Sequence, residues 1–540
     1  MSATSCTNSP IDQQPDSAAC RCTVGLWVLL AAVIALQLVV LWSFEYFPST
    51  DGPAHLANAA ILRDYHQPQG QVYRHYYTLA EHIDPNLAGH LLLTGLMRVV
   101  SPLHAEKILL SLYVLGLPLA GAYAMAAARR GSGAMAVLLT PLSFNYVLHM
   151  GFYNFCLSLA VFFIVIGYWL RYRQTMTWWR AGIFGLLMLL LYCCHLLALV
   201  LAAGTIALLA TWALLRDWSQ SLSNRLWWQR FWRQEMVTLL AALPALLLAA
   251  RFLRRHRERR IPADSGWTLL TDLLSLDTLV SFDERELWLT RALAAVFGAA
   301  VLWVLLTRLR RRRLESTDVL LLPPIAYLAL YFLAGMQSFL SWRLSLMFLL
   351  GLVLWLGVQL WPRGLRWTLS SAAAIIAIAL LSMHARAYAQ LQHPLRQYVE
   401  VASRVPPGAT LLALPFERRH GRIDSFMYAS GYVVAHRPLI DLRNYEAHLR
   451  YFPVDYRPQR DPYRHLVRRW IHLEGWPTPV NLNGFPPDSQ ASVDYVMLWG
   501  RPSALVGNQA APELFAQLHS DFELVHATEQ SQLWRRRSLP

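Results

Sequence analysis

Val24–Phe44 reads VGLWVLLAAVIALQLVVLWSF, and Glu45–His55, directly after it, reads EYFPSTDGPAH. The first run carries no charge over about 21 residues, and about 20 suffice to cross a bilayer. It is too long for a signal-peptide core of about 7–15 apolar residues, and no clear cleavage site follows, so it reads as an uncleaved anchor. The second run opens the first outer loop, roughly Glu45–Asn86. Thr50 or Asp51 can cap a helix, and Pro53 suits a first helical turn. Ala54–Tyr65 then mixes apolar and polar residues at helical spacing. Asp51 is therefore expected at the membrane face beside a helix N-terminus, which favours its charged form. A carboxylate there suits a base or a metal ligand, and it equally suits a plain N-cap.

The rest of the chain extends this pattern. Of 540 residues, 55% are hydrophobic and 15% charged, whereas a soluble domain carries about 25% charged residues. The charges gather in short runs between apolar stretches. Further spans are expected at 106–128, 133–149, 152–170, 181–195, 197–215, 236–253, 291–307, 318–335, 341–361 and 367–385. Leu87–Val100 is short and contains His90 and Arg98, so it fits an interfacial or re-entrant helix better than a span. The formal charge of +15 is almost all Arg, Lys107 being the one lysine. With the N-terminus in the cytoplasm, Arg129-Arg130, the 171–180 and 216–233 loops, Arg308–Arg313 and Arg363–Arg366 all fall inside, as basic loops should. The run Arg254–Arg260 falls outside. Basic runs so placed mark membrane flanks, not a nucleic-acid groove.

Three regions follow: a cytoplasmic tail (1–23), a transmembrane domain of about eleven helices (24–385) and an extracytoplasmic domain (386–540). The last has α/β signals. Gln397–Val405 looks helical and ends at Pro406-Pro407-Gly408. Thr410–Leu414, Gly431–Val434, Asp494–Trp499, Phe522–His526 and Ser531–Arg536 read as strands. It contains no cysteine, so no disulfide framework holds it.

One span, an outer loop that opens with an acid, interfacial helices, then many spans: this layout resembles the GT-C superfamily of polyprenyl-phosphate-sugar-dependent membrane glycosyltransferases. Ser101-Pro102-Leu103-His104-Ala105-Glu106-Lys107, leading into a span that ends at Arg129-Arg130, is similar to bacterial members. So are an arginine on a late span, Arg343 in Ser341-Trp342-Arg343-Leu344, and a soluble α/β domain after the last span. The resemblance implies a multi-pass protein of the bacterial inner membrane. It would move a sugar from a polyprenyl-phosphate carrier to a polysaccharide, lipid or protein acceptor at the outer face. It also implies that Asp51 is the catalytic base, taking the acceptor's proton, and that Arg343 meets the donor phosphate. A buried arginine at membrane depth is costly and usually functional; an interfacial arginine that snorkels to head groups is the plain alternative.

The second outer loop, Asn145–Asn154, departs from the superfamily in having no carboxylate. His149, Tyr153 and Asn154 are its polar candidates for substrate binding, with His55 and Asp84 from the first loop. A divalent metal ion is one way to neutralise the leaving phosphate, and Asp51, His149 and His195 are its candidate ligands. Cys193-Cys194-His195 lacks the spacing of a structural zinc site. The acids of the 261–289 loop, Asp264 and Asp272 among them, read as solvated surface. The rival reading is a transporter or lipid flippase, but neither repeated halves nor matched broken spans are visible.

Overall fold

A computed structural model of the chain describes residues 17–219, 228, 231–256, 266–334, 340–417, 419–466, 480–501 and 511–537. Among these, nine helices are long and apolar enough to cross a membrane. They include α1 (Ser17–Ser43). The expected bundle of apolar helices with a small α/β domain after its last span is the architecture observed. All the expected spans are helical, but two are short. Trp178–Cys194 is one. The other, expected as a span over 133–149, is a 3-10 helix at Gly133–Leu142, followed by a separate turn of helix at Tyr146–His149. Its residues are all buried, and Pro141 lies inside it. A 3-10 helix rises about 2.0 Å per residue, so ten residues reach further than an α-turn would. Irregular backbone survives at membrane depth when protein, not lipid, surrounds it.

The segment between the first two spans, expected as the first outer loop, builds a shelf on one end of the bundle. It contains α2 (Gly52–Asp64) and α3 (Ala88–Leu96), before the second span, α4 (Pro102–Ala128). Both shelf helices lie where the sequence places interfacial helices. The next two helices that matter to the site are α5 (Tyr153–Tyr172) and α6 (Leu340–Gly357).

The last span is a single helix, α7 (Arg363–Ala402), that runs through Pro394 and carries the chain into the C-terminal domain. That domain holds a five-stranded sheet of β2 (Thr410–Pro415), β3 (Ile440–Asp441), β5 (Tyr495–Trp499), β6 (Phe522–Ala527) and β7 (Ser531–Arg536), in the order β3-β2-β5-β7-β6. β2 is buried along its whole length and pairs parallel with β3 and β5, as a continuous apolar run between two neighbours should. Gly431–Val434, expected as a strand, is one turn of helix. This turn is docked on α2: Gly431 abuts the carbonyl of Pro53, so close that a Cβ would lie 2.1 Å from that oxygen.

The domain is stitched to the shelf. β1 (Tyr77–Leu79) of the first outer segment pairs antiparallel with β4 (Val454–Tyr456), Tyr77 opposite Tyr456. The Tyr432 hydroxyl donates to the Phe47 carbonyl at 3.1 Å. Gln392 of α7 exchanges two bonds with the backbone of Tyr46, at 3.0 and 3.1 Å. One apolar cluster unites residues of the shelf, such as Ile61 and Tyr73, with Leu412 and Leu442 of the C-terminal domain.

Candidate active site

Asp51 sits at the N-cap position of α2, yet its side chain makes no capping bond. The backbone supplies the turn instead: Ala54 and His55 donate to the Asp51 carbonyl at 2.9 and 3.1 Å. The carboxyl hydrogen-bonds to Tyr445, at the start of α8 (Tyr445–Leu449) in the C-terminal domain. Burial pushes the Asp51 carboxyl up to about 7, against the pull of His55, Tyr445 and Arg343 and with the help of Glu446. Such a value suits a general base working near neutral pH.

The second outer loop fixes the backbone here. Thr50 donates to the His149 carbonyl at 3.0 Å and Asp51 to the Met150 carbonyl at 3.1 Å. The approach depends on Gly151, at φ +83, where a Cβ would come within 2.7 Å of the Asp51 nitrogen. Gly52 is crowded in the same way, since a Cβ there would meet the Tyr153 hydroxyl, Ser49 Oγ and Glu106 Oε1. The Tyr153 hydroxyl donates to Glu106 Oε1 at 2.6 Å and lies 3.0 Å from Ser49 Oγ. Glu106, in the first turns of α4, thus places a buried carboxyl beside Gly52.

His55 and His90 meet over Glu446. His55 Nδ1 lies 2.5 Å from Glu446 Oε1, His90 Nε2 lies 2.9 Å from Oε2, and the two ring nitrogens are 3.3 Å apart. Asn58 donates to Glu446 Oε2 at 2.7 Å and pairs amide to amide with Asn444. Burial alone would raise the Glu446 carboxyl, but the imidazoles of His55 and His90 hold it down at about 2. Burial alone would lower His55, but Glu446 and then Asp51 hold it above its ordinary value.

Arg343 stands in the first turn of α6 with its guanidinium 4.2 Å from the centre of the Phe152 ring and 5.6 Å from that of Phe155. Its Nε is buried without a hydrogen-bond partner among the described residues. Its charge is near enough to act on Asp51. Asp51, His55, Tyr153 and Arg343 therefore belong to one neighbourhood.

The other expected site residues lie around it or turn away. Asn154 accepts from the Gly89 nitrogen at 2.7 Å and so positions α3. Asp84 pairs with Arg255, which gives the outer basic run a partner; residues 257–260 of that run, and Asp264, lie outside the described residues. The His149 ring contacts Tyr388 at 2.6 Å and Ser281 at 2.9 Å, on the side of α7. His195 accepts from the Leu197 nitrogen at 3.2 Å and packs on Phe155. Among the described residues, the one group of three side chains placed to hold a metal ion is His55, His90 and Glu446. His90 and Glu446 carry no sequence signal of their own: His90 reads as a polar interruption of a short apolar helix, and Glu446 as one acid in a soluble tail.

No family model matches the sequence, and no curated protein matches it. Among solved structures, the chain is similar in fold to ArnT from Cupriavidus metallidurans, solved in the apo state. The TM-score is 0.53 at 12% identity, over 95% of this chain and 98% of that one. The chain therefore shares the overall fold of that structure.

Proposed function

We propose that this protein is a membrane glycosyltransferase. It moves a sugar from a polyprenyl-phosphate carrier to a cell-envelope acceptor at the outer face of the bacterial inner membrane. The observation that carries this reading is the state of Asp51: a buried carboxylate at a helix N-terminus whose side chain takes no part in the cap and is held near neutrality. A capping aspartate has no need of that environment, and a general base does. Arg343 supports the reading from the other side. Its guanidinium is braced by two rings and its Nε has no hydrogen-bond partner among the described residues, as suits a binder of a lipid-linked phosphate. In the reaction, the acceptor hydroxyl attacks the anomeric carbon as Asp51 takes its proton. The carbon–oxygen bond to the carrier phosphate breaks, and the phosphate leaves as the lipid's anion beside Arg343. A single displacement of this kind inverts the anomeric centre. The N-terminus is placed in the cytoplasm, and residues 386–540 form the extracytoplasmic domain that completes the site of the 24–385 membrane domain.

Asp51→Asn in the full chain tests the proposal. Asn accepts hydrogen bonds as Asp does but cannot take the proton. The variant is expected to purify like wild type, to bind polyprenyl-phosphate sugar, and to transfer it about 10²–10⁴ times more slowly. Turnover within a few-fold of wild type would remove Asp51 as the base. A wild-type protein that carries lipid across vesicles and transfers no sugar would replace this reading with the transporter one.

A further inference from the structure

We infer that a cavity at the end of the bundle remote from Asp51 holds one acidic phospholipid by its phosphate head group. The cavity measures about 670 Å3, within the range of about 300–1,000 Å3 usual for small-molecule sites. Two helices fix its place. α4 starts at the shelf, with Glu106 beside Gly52, and ends at the cavity, which Ala127 and Ala128 line. α5 starts beside the shelf at Tyr153 and also ends there, with Leu170 and Arg171 in the wall. The 27 residues of α4 reach about 40 Å at about 1.5 Å per residue. The hydrocarbon core is about 30 Å thick, so the cavity and Asp51 lie at opposite faces of the membrane. With the N-terminus in the cytoplasm, the cavity opens at the cytoplasmic leaflet, where acidic head groups attract basic side chains.

The lining has the chemistry of such a site. Arg171 comes from the last turn of α5, Arg173 from the 3-10 turn after it, and Arg216 from the last turn of the helix Leu196–Ser219. Against these three arginines the described lining sets one carboxylate, Glu235. The cavity is therefore net positive, and a cleft lined mainly by one sign of charge concentrates ions of the other. Two acids beside the lining residues Ser316 and Thr317 are already committed: Glu315 pairs with Arg129 and Arg308, and Asp318 with Arg308. The Arg173 guanidinium lies 5.1 Å from the centre of the Trp169 ring, and that of Arg171 lies 5.7 Å from Tyr172. Stacking engages the face of a guanidinium, whereas phosphate meets its edge, so the two are compatible. Leu170, Leu209 and Leu320 make part of the wall apolar, as the first carbons of acyl chains require. Trp212 lines the cavity and is 48% exposed, and Trp178 and Trp179, just past the 173–175 turn, are 75% and 78% exposed. Exposed tryptophans at helix ends mark the head-group level. A free phosphate would use the arginines alone; an acidic phospholipid uses the arginines and the apolar wall together.

The test reads lipid binding and melting temperature, not turnover, so its failure leaves the proposed reaction untouched. Full-length protein is stripped of lipid in a neutral detergent. Its melting temperature is then followed as phosphatidylglycerol, phosphatidylcholine or inorganic phosphate is added. A ligand of the folded state raises the melting temperature as it binds. Phosphatidylglycerol alone is expected to do so, and native mass spectrometry should find one such lipid held per chain. Arg171→Gln, Arg173→Gln and Arg216→Gln together should weaken that binding about 100-fold, at about 5-fold for each charge lost. Arg310→Gln with Arg311→Gln, at exposed positions outside the cavity, should leave it unchanged. If the triple variant does not fold, Arg216→Gln alone, at an exposed position, should show the loss of about 5-fold. No response to phosphatidylglycerol overturns the inference. So does an equal response to phosphatidylcholine, a full response to inorganic phosphate, or the same loss in both sets of variants.

Discussion

The Tyr445 hydroxyl is hydrogen-bonded to the Asp51 carboxyl. The acid that opens the first outer segment is thus held by the C-terminal domain and not by its own helix. Losing that bond removes one of the influences that keep the Asp51 carboxyl from rising further. Tyr445→Phe should therefore shift the acid limb of the pH–rate profile to higher pH, with rate recovering in alkaline buffer. An unshifted midpoint would show that the bond does not tune Asp51.

In the wild type, the rate should rise with pH through about 7, the value to which burial pushes Asp51, because only the carboxylate accepts a proton. Stability should move the other way. The folded protein keeps the Asp51 proton to about 7, whereas the unfolded chain releases it near 3.8. The stability that this proton confers is present below 3.8 and is lost as pH rises toward 7. Asp51→Asn escapes that loss, so its melting temperature relative to wild type should increase from pH 5 to pH 8. A constant difference across that range would contradict the raised value.

Arg343→Ala removes a guanidinium whose Nε has no protein partner among the described residues. Folding should survive, while donor binding weakens by about 10-fold or more, the scale of a lost charged hydrogen bond. Arg343→Lys keeps the charge and loses the planar fork, so it should recover only part of the affinity. Binding measured with a polyprenyl-phosphate sugar decides the matter; equal affinity in Arg343→Ala places the phosphate elsewhere.

Gly431→Ala would drive a Cβ to 2.1 Å from the Pro53 carbonyl. Both neighbours are backbone, so the domain must shift off α2, at a cost of about 1–3 kcal/mol. A lower melting temperature and faster proteolysis of the C-terminal domain are expected, together with lost activity. Gly95→Ala serves as the control, because a Cβ there meets nothing within 4 Å.

The expected orientation is open to direct measurement. Alkaline phosphatase fused after the last residue should be active, and a reporter that works only in the cytoplasm should be silent. The opposite pattern would mean an even number of crossings.

Asp51 and Arg343 are legible in the sequence because a charge stands out against apolar neighbours, and the helices of the first outer loop are legible from Pro53 and the spacing after it. The partners that decide what Asp51 does are not. Glu446 and Tyr445 reach the site through long-range contacts such as the pairing of β1 with β4 and the docking of Gly431 on Pro53, and neither of these leaves a local pattern. The partners of the His149 ring, Tyr388 and Ser281, are likewise distant in the chain and leave no local pattern. Gly133–Leu142 is apolar enough for a span, yet hydropathy does not distinguish an α-helix from a buried 3-10 helix. β3 is two residues long, too short to show any alternation.

The bond between Asp51 and Tyr445 also has a consequence in time. Ribosomes add about 5–20 residues per second, so the roughly four hundred residues between these two take about 20–80 s to make. Throughout that interval the nascent protein has its acid in place beside the membrane and lacks the groups that tune it. Completion of the surroundings of Asp51 is therefore deferred until every crossing has been synthesised. A chain stalled or truncated within its spans lacks Tyr445 and Glu446, and its Asp51 stands without the influence of either.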